Sequence, residues 1–135
     1  MKLTQTATYA IQAVLELAQA DDSHPVPCSV LANQGKMPER FLLQVLRVLV
    51  LHGVLESKRG IAGGFLLSRP ASQITLSDIV LPFEHPKSGN LPEAPGFPEP
   101  ARYQLELTLQ RSSEAARKVL QQLTIYDLMQ VAKSA

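Results

Sequence analysis

The stretch "GKMPERFLLQVLRVLVLHGVLESKRGIAGGFLLSR", Gly35–Arg69, carries two periods in succession. Up to Gly53 the apolar residues recur every three or four positions. Leu42, Val45, Leu46 and Leu49 share one face of a wheel drawn at 100° per residue, the signature of a helix with one side in a core. Arg40, Leu43, Gln44, Arg47 and Leu51 cluster on the opposite side. Pro38 suits the first turn, where its missing N–H removes no bond, and Gly53 ends the helix. The pattern then changes. "VLESK" and "GFLLS" read as strands, and "RGIAG" joins them in a hairpin. The glycines let the tip take positive φ and approach another backbone closely. Lys58 and Arg59 stand on that slim projection.

Toward the N-terminus, "CSVLANQG" reads as a helix of about two turns closed by Gly35 as its C-cap. A short turn separates it from the helix after Pro38, which is the helix-turn-helix pattern. The segment "DDSHPVP" before it is a loop. Ala7, Ile11, Val14, Leu15 and Ala18 define a first helix from Thr4, its N-cap, to Gln19. A helix-turn-helix followed at once by a hairpin is a winged helix. Its exposed side chains suit nucleic acid: guanidinium groups for guanine edges, an amide for adenine, and wing cations for phosphates or a narrow minor groove. A solvated helix face and a solubilising turn are the competing readings. The adjacency of the two elements favours nucleic acid.

Toward the C-terminus, Pro86, Pro92, Pro95, Pro98 and Pro100 make residues 84–101 a proline-rich connection, which resists helix and central strand alike. In "ARYQLELTLQRSSEAARKVLQQL" two patterns overlap. Tyr103, Leu105, Leu107 and Leu109 alternate with polar residues as in a strand. Leu105, Leu109, Ser112, Ala116, Val119 and Leu123 step by four and three as in a heptad seam. An amphipathic helix beyond a small domain must bury its stripe, and a second copy in a two-fold dimer does so most simply. "TIYD" places Thr124 as N-cap and Asp127 three residues on, a variant capping box that opens a last helix, Ile125 to Ala132.

Composition sets the limits. The chain has 135 residues, 45% of them apolar, and a net charge of +1, so a core is available and charge alone names no partner. Cys28 is the sole cysteine, which rules out an intrachain disulfide and makes a reducing, cytoplasmic setting the expectation. No run reaches the length of a membrane span. His24, His52 and His85 have no metal-ligand spacing with other donors. No Ser–His–acid pattern occurs, and "GIAGG" lacks the Lys-Ser/Thr of a phosphate loop, so no enzyme is expected. His52, beside Gly53, suits the negative end of the helix dipole. Cys28 opens a helix, where a thiol can be activated, or fills space as a small hydrophobe.

The order "MKLT…YA…L…LA", then Gly35–Arg69, then "ITLSDIV" and finally "LTIYDLM" resembles the Rrf-two family of bacterial winged-helix transcription regulators. The most specific piece is "RG-x-x-GG-[FY]-x-L", beginning at Arg59. The resemblance implies a mostly α fold with a small β wing: a winged helix-turn-helix domain plus a long C-terminal dimerisation helix. It also implies a homodimeric regulator, a repressor of palindromic operator DNA, with the third helix in the major groove. Lys2 and Thr4 would then stand at phosphates, and Arg59 with Gly60 at the wing tip. Many members bind an iron–sulfur cluster through three cysteines in the loop before the long helix. Here that loop, Glu84–Ala101, has none, so no cluster, metal or other cofactor is expected. Members also often carry an acid where Leu43 stands and a serine where Pro38 stands, so no operator preference carries over.

The expected organisation is a DNA-binding domain over 1–83, the proline-rich loop over 84–101, and a dimerisation helix with a short terminal helix over 102–135. The DNA-facing set is Lys2, Thr4, Arg40, Gln44, Arg47, Lys58, Arg59 and Gly60. The dimer seam is Leu105, Leu109, Ala116, Val119 and Leu123. Near-neutral charge and the leucines on the exposed stripe motivate one other reading, a winged-helix protein-interaction module that has lost DNA binding. An effector, small molecule or protein, is unidentified.

Overall fold

The computed structural model describes residues 2–20, 24–84 and 91–134. His85, Pro86 and the "DDS" of the first loop lie outside them. Helix α1, Gln5–Gln19, opens at Thr4, whose Oγ1 accepts from the Ala7 N–H at 3.1 Å, the cap expected from the sequence. Ala7, Ala10, Ala13, Val14 and Leu17 form its buried face. The small side chains let neighbouring helices come close, and α1 touches α2, α3, α4 and α6.

Helix α2, Cys28–Gly35, and helix α3, Glu39–Leu51, make the helix-turn-helix. Three details differ from the sequence-based expectation. Lys36, not Gly35, takes the left-handed cap conformation, at φ 54°. Gly35 is needed for space instead: a Cβ there would run into the Glu16 carboxylate and lie 2.6 Å from Met37 Cε and 2.7 Å from Gln12 Nε2. Pro38 is the extended residue before α3 rather than part of its first turn. Leu42, Val45, Leu46 and Leu49 are buried, as the wheel predicts, and each contributes about 1.5–3 kcal/mol. Leu43 does not belong to the exposed stripe: it is half-buried and packs on the core.

The wing consists of β1, Leu55–Lys58, and β2, Gly64–Leu67, antiparallel, with Leu55 opposite Leu67 and Lys58 opposite Gly64. A third segment joins it. Val26, just before α2, bridges Phe65 through hydrogen bonds of 2.8 and 2.9 Å, so β2 is paired on both sides. Gly64, at φ 152°, permits this: a Cβ would strike the Val26 carbonyl group and stand 2.7 Å from the Pro27 nitrogen.

After the wing, a single turn at Ala71–Gln73 leads to the short helix α4, Leu76–Val80, and a further turn, Leu81–Phe83. Helix α5, Glu99–Leu120, is one continuous helix, so Tyr103–Leu109 is helical and the strand alternative falls. It opens inside the expected proline loop, because Pro98 precedes it and Pro100 occupies its first turn, where no N–H is required. Arg102 draws the connection back by donating to the Leu91 and Pro92 carbonyls at 2.9 and 3.1 Å. No residue of α5 is buried, and Val119 is 64% exposed. Leu123 lies beyond the helix, in the turn where its carbonyl accepts from the Leu76 N–H at 2.9 Å.

Helix α6, Ile125–Ser134, returns to α1, and Ile125 enters the core. Thr124 and Asp127 form the expected capping box, at 2.9 and 3.1 Å. Thr75 and Asp78 form a second one at α4, and the two caps meet in an antiparallel bridge of Thr75 with Thr124. The core is thus shared by α1, α2, α3, the wing, the strand-like entry to α4 and the start of α6.

Candidate nucleic-acid interface

Helix α3 turns its polar side outward because its apolar side is anchored in the core. Arg40, Gln44 and Arg47, four and three residues apart, are all exposed on that outer side. Leu51 continues the stripe and is 81% exposed. The helix closes at His52, whose Nδ1 lies 2.9 Å from the Val48 carbonyl oxygen, the helix-end contact the sequence suggests. The backbone turns at Gly53 and enters β1 two residues later.

The ladder ends at the Lys58–Gly64 pair, so Arg59–Gly63 is the projecting tip. Gly60 takes φ 108° with open space around it, and its carbonyl accepts from the Gly63 N–H at 3.0 Å. Lys58 and Arg59 are exposed, as is Ile61, an apolar tip residue that no period in the sequence marks. Lys2 is exposed just ahead of α1, and the Thr4 hydroxyl is engaged as its cap. The ion pairs among the described residues are Arg69–Asp78 and Arg102–Glu106. Lys2, Arg40, Arg47, Lys58 and Arg59 therefore carry charge that no carboxylate of the described fold neutralises.

Arg69 belongs to the structure rather than to this surface. Its Nε donates to the Gln73 carbonyl at 2.9 Å, Nη1 to the Gly53 carbonyl and Nη2 to Asp78 Oδ2, both at 3.0 Å. Ser68 adds hydrogen bonds to the Gly53 and Val54 carbonyls at 2.5 and 2.9 Å. Burial raises the proton affinity of Asp78, but bonds from the Thr75 N–H, Arg69 and the Thr75 hydroxyl outweigh it, and the carboxyl sits below its ordinary pKa. Nothing in the sequence separates Arg69 from Lys58 and Arg59. Its role follows from the turn that brings α4 back beneath the wing.

The family model described as an iron-dependent transcriptional regulator, Rrf2, matches residues 3–131. The chain belongs to the Rrf2 family. It is similar to the transcriptional regulator CymR of Bacillus subtilis, with 30% identity over 128 residues, 95% of this chain and 89% of that protein. It is also similar to IscR of Cronobacter sakazakii, 32% identical over 80 residues. That match covers 59% of this chain and only 49% of the IscR, so the chain spans about half the length of that relative. The solved structure of B. subtilis CymR superimposes with a TM-score of 0.74 at 28% identity, covering 97% of this chain and 98% of CymR. T. potens IscR gives 0.73 at 26% identity, covering 98% of this chain and 88% of IscR. The winged-helix fold with its long C-terminal helix is the shared architecture.

The Rrf2 description names iron, and the thiolates of an iron–sulfur cluster are missing from this sequence. An iron–sulfur cluster needs several thiolates, and the chain has one cysteine, outside the 84–101 loop. Cys28 caps no open site: its thiol lies 3.7 Å from the Glu39 carbonyl as a donor. Burial first, then Glu39, push the thiol pKa up against the opposing pull of Arg47. Among the described residues no three His, Cys, Asp or Glu side chains converge as metal ligands. No described helix is long and apolar enough to cross a membrane.

Proposed function

We propose that this Rrf2-family chain is a DNA-binding transcription regulator, a cytoplasmic repressor that binds palindromic operator DNA as a homodimer and works without an iron–sulfur cluster. The observation that carries the reading is the exposed positive charge of Arg40 and Arg47 on α3 and of Lys58 and Arg59 on the wing, none of it ion-paired among the described residues. Arg40, Gln44 and Arg47 face base edges in the major groove, and Lys58 and Arg59 take phosphates or the minor groove, with Gly60 letting the tip approach. Lys2 contacts a phosphate, and the Thr4 hydroxyl, still able to donate, another. The names of the relatives, helix-turn-helix regulators, agree with it.

Two copies, joined along Leu105, Leu109, Ala116 and Val119 of α5 with Leu123 at its end, would place two recognition helices one helical turn of DNA apart, roughly 34–36 Å. A gel shift on the DNA upstream of the chain's own reading frame, at about 50 and 200 mM salt, tests the proposal. Retardation that weakens steeply with salt supports it. The exposed Leu51 favours a second reading, a protein-interaction module, and that reading predicts no retardation at either salt. Protein purified without oxygen after supply of iron and sulfide stays colourless if no cluster binds.

A further inference from the structure

Beneath the wing lies a cleft of about 420 Å³, within the range of small-molecule sites. We propose that it binds a small organic anion with an apolar body and that its occupancy is transmitted to the wing through Arg69. Its floor is apolar, from Ala18 of α1, Leu67 of β2, Ala71 and Met129 of α6. Its rim is polar, from Ser68, Ser72 and the Tyr126 phenol, and among the described residues that line it the ionic one is Arg69. A guanidinium has five N–H groups. Three have partners, the Gln73 and Gly53 carbonyls and Asp78, which leaves two without one among the described residues. The Arg69 side chain is 31% exposed, so a carboxylate can reach it. Asp78 already takes part of its charge, which weakens the pull on an anion.

The same guanidinium holds the Gly53 carbonyl, at the joint between α3 and β1, against Asp78 of α4. A carboxylate bound to the two remaining N–H groups draws the guanidinium toward the cleft, which stretches its Gly53 bond and loosens the base of the wing, while the apolar body rests on Leu67 and Met129. Ligand binding and the DNA-binding proposal stand apart, since the first can be read without DNA.

The test is a titration of the full chain, labelled with nitrogen-15, with benzoate at constant ionic strength, with benzamide as the uncharged control of the same shape. Saturable amide shifts at Ser68, Arg69, Ala71, Ser72 and Met129, extending to Gly53 and Val54, are expected, with benzamide at least fivefold weaker. Arg69→Gln should abolish the benzoate response. Because that change also removes a structural tie, Ser72→Trp, which fills the cleft from its exposed rim, should weaken binding about tenfold with the Arg69 bonds intact. No saturable shift, an equal response to benzamide, or an unchanged affinity in Ser72→Trp overturns the site. Saturable shifts in the cleft that leave Gly53 and Val54 unmoved overturn the transmission.

Discussion

At the scale of single residues, two buried or half-buried carboxylates illustrate opposite environments. Asp78 has hydrogen-bond donors on its oxygen and is held below its ordinary pKa. Glu16, on α1, has its Oε2 sealed from solvent with no partner among the described residues, while Oε1 takes a long 3.3 Å bond from Gln12. Burial raises its pKa, and the Gln12 bond only partly opposes this. A raised carboxyl pKa means stability that is complete below the unfolded-state value and is lost as pH rises through the folded one. Glu16→Gln should therefore raise the melting temperature at pH 7 by about 1–3 °C. The gain should vanish in thermal scans run below the ordinary carboxylate range. The Thr75 cap on Asp78 has a sequence signature, but the Arg69 bond to it and the burial of Glu16 do not, because each depends on tertiary packing. The α3 cations were legible: once four apolar residues fix the inner face, the helical period leaves Arg40, Gln44 and Arg47 nowhere to point but outward.

At the scale of elements, the wing is more firmly seated than a free hairpin. Phe65 pairs with Ser57 on one side and Val26 on the other, so the tip is carried on three chain segments. The hairpin was readable from its glycines, but the third segment was not: "DDSHPVP" has no strand period, and one bridging residue needs none. Gly64→Ala should break this seat, since the added Cβ meets backbone that cannot move aside and φ 152° disfavours a side chain. The expected loss exceeds about 1 kcal/mol in denaturant unfolding, with the Val26 amide becoming exchangeable. Helix α5 presents the reverse case, an element with no buried face in the single chain. Its sequence fits strand and seam at once over 103–109, and only continuity with the heptad steps downstream decides for helix. Leu109→Glu with Ala116→Glu should put like charges on a self-complementary surface. Sedimentation should then report a monomer, and circular dichroism an intact helical fold.

At the scale of the whole molecule, the segment after the 84–101 connection contributes to the same core as the segment before it. The chain leaves the core at Phe83, extends along α5 and returns, so that α6 packs on α1 and the 71–73 turn, and Ile125 enters the core with its N–H donating to the Ile74 carbonyl at 2.9 Å. The paired motifs "ITLSDI" and "LTIYDL", each a Thr cap with an acid three residues on, mark the two helix starts that meet there. That internal likeness was the available signal for the closure. Ile125→Ala should cost about 2–4 kcal/mol and lower the stability of the winged-helix core itself, as read from exchange protection of α1 amides. The central claim, that α3 and the wing hold DNA by charge the fold leaves uncompensated, is tested most directly by the salt dependence of operator affinity. Fluorescence anisotropy across about 50–200 mM salt should give, for Arg59→Ala, weaker binding and a shallower slope of log K against log salt. The slope should fall by about one unit for each phosphate the substituted wing no longer neutralises. The same affinity and the same slope as the unsubstituted protein would contradict the claim.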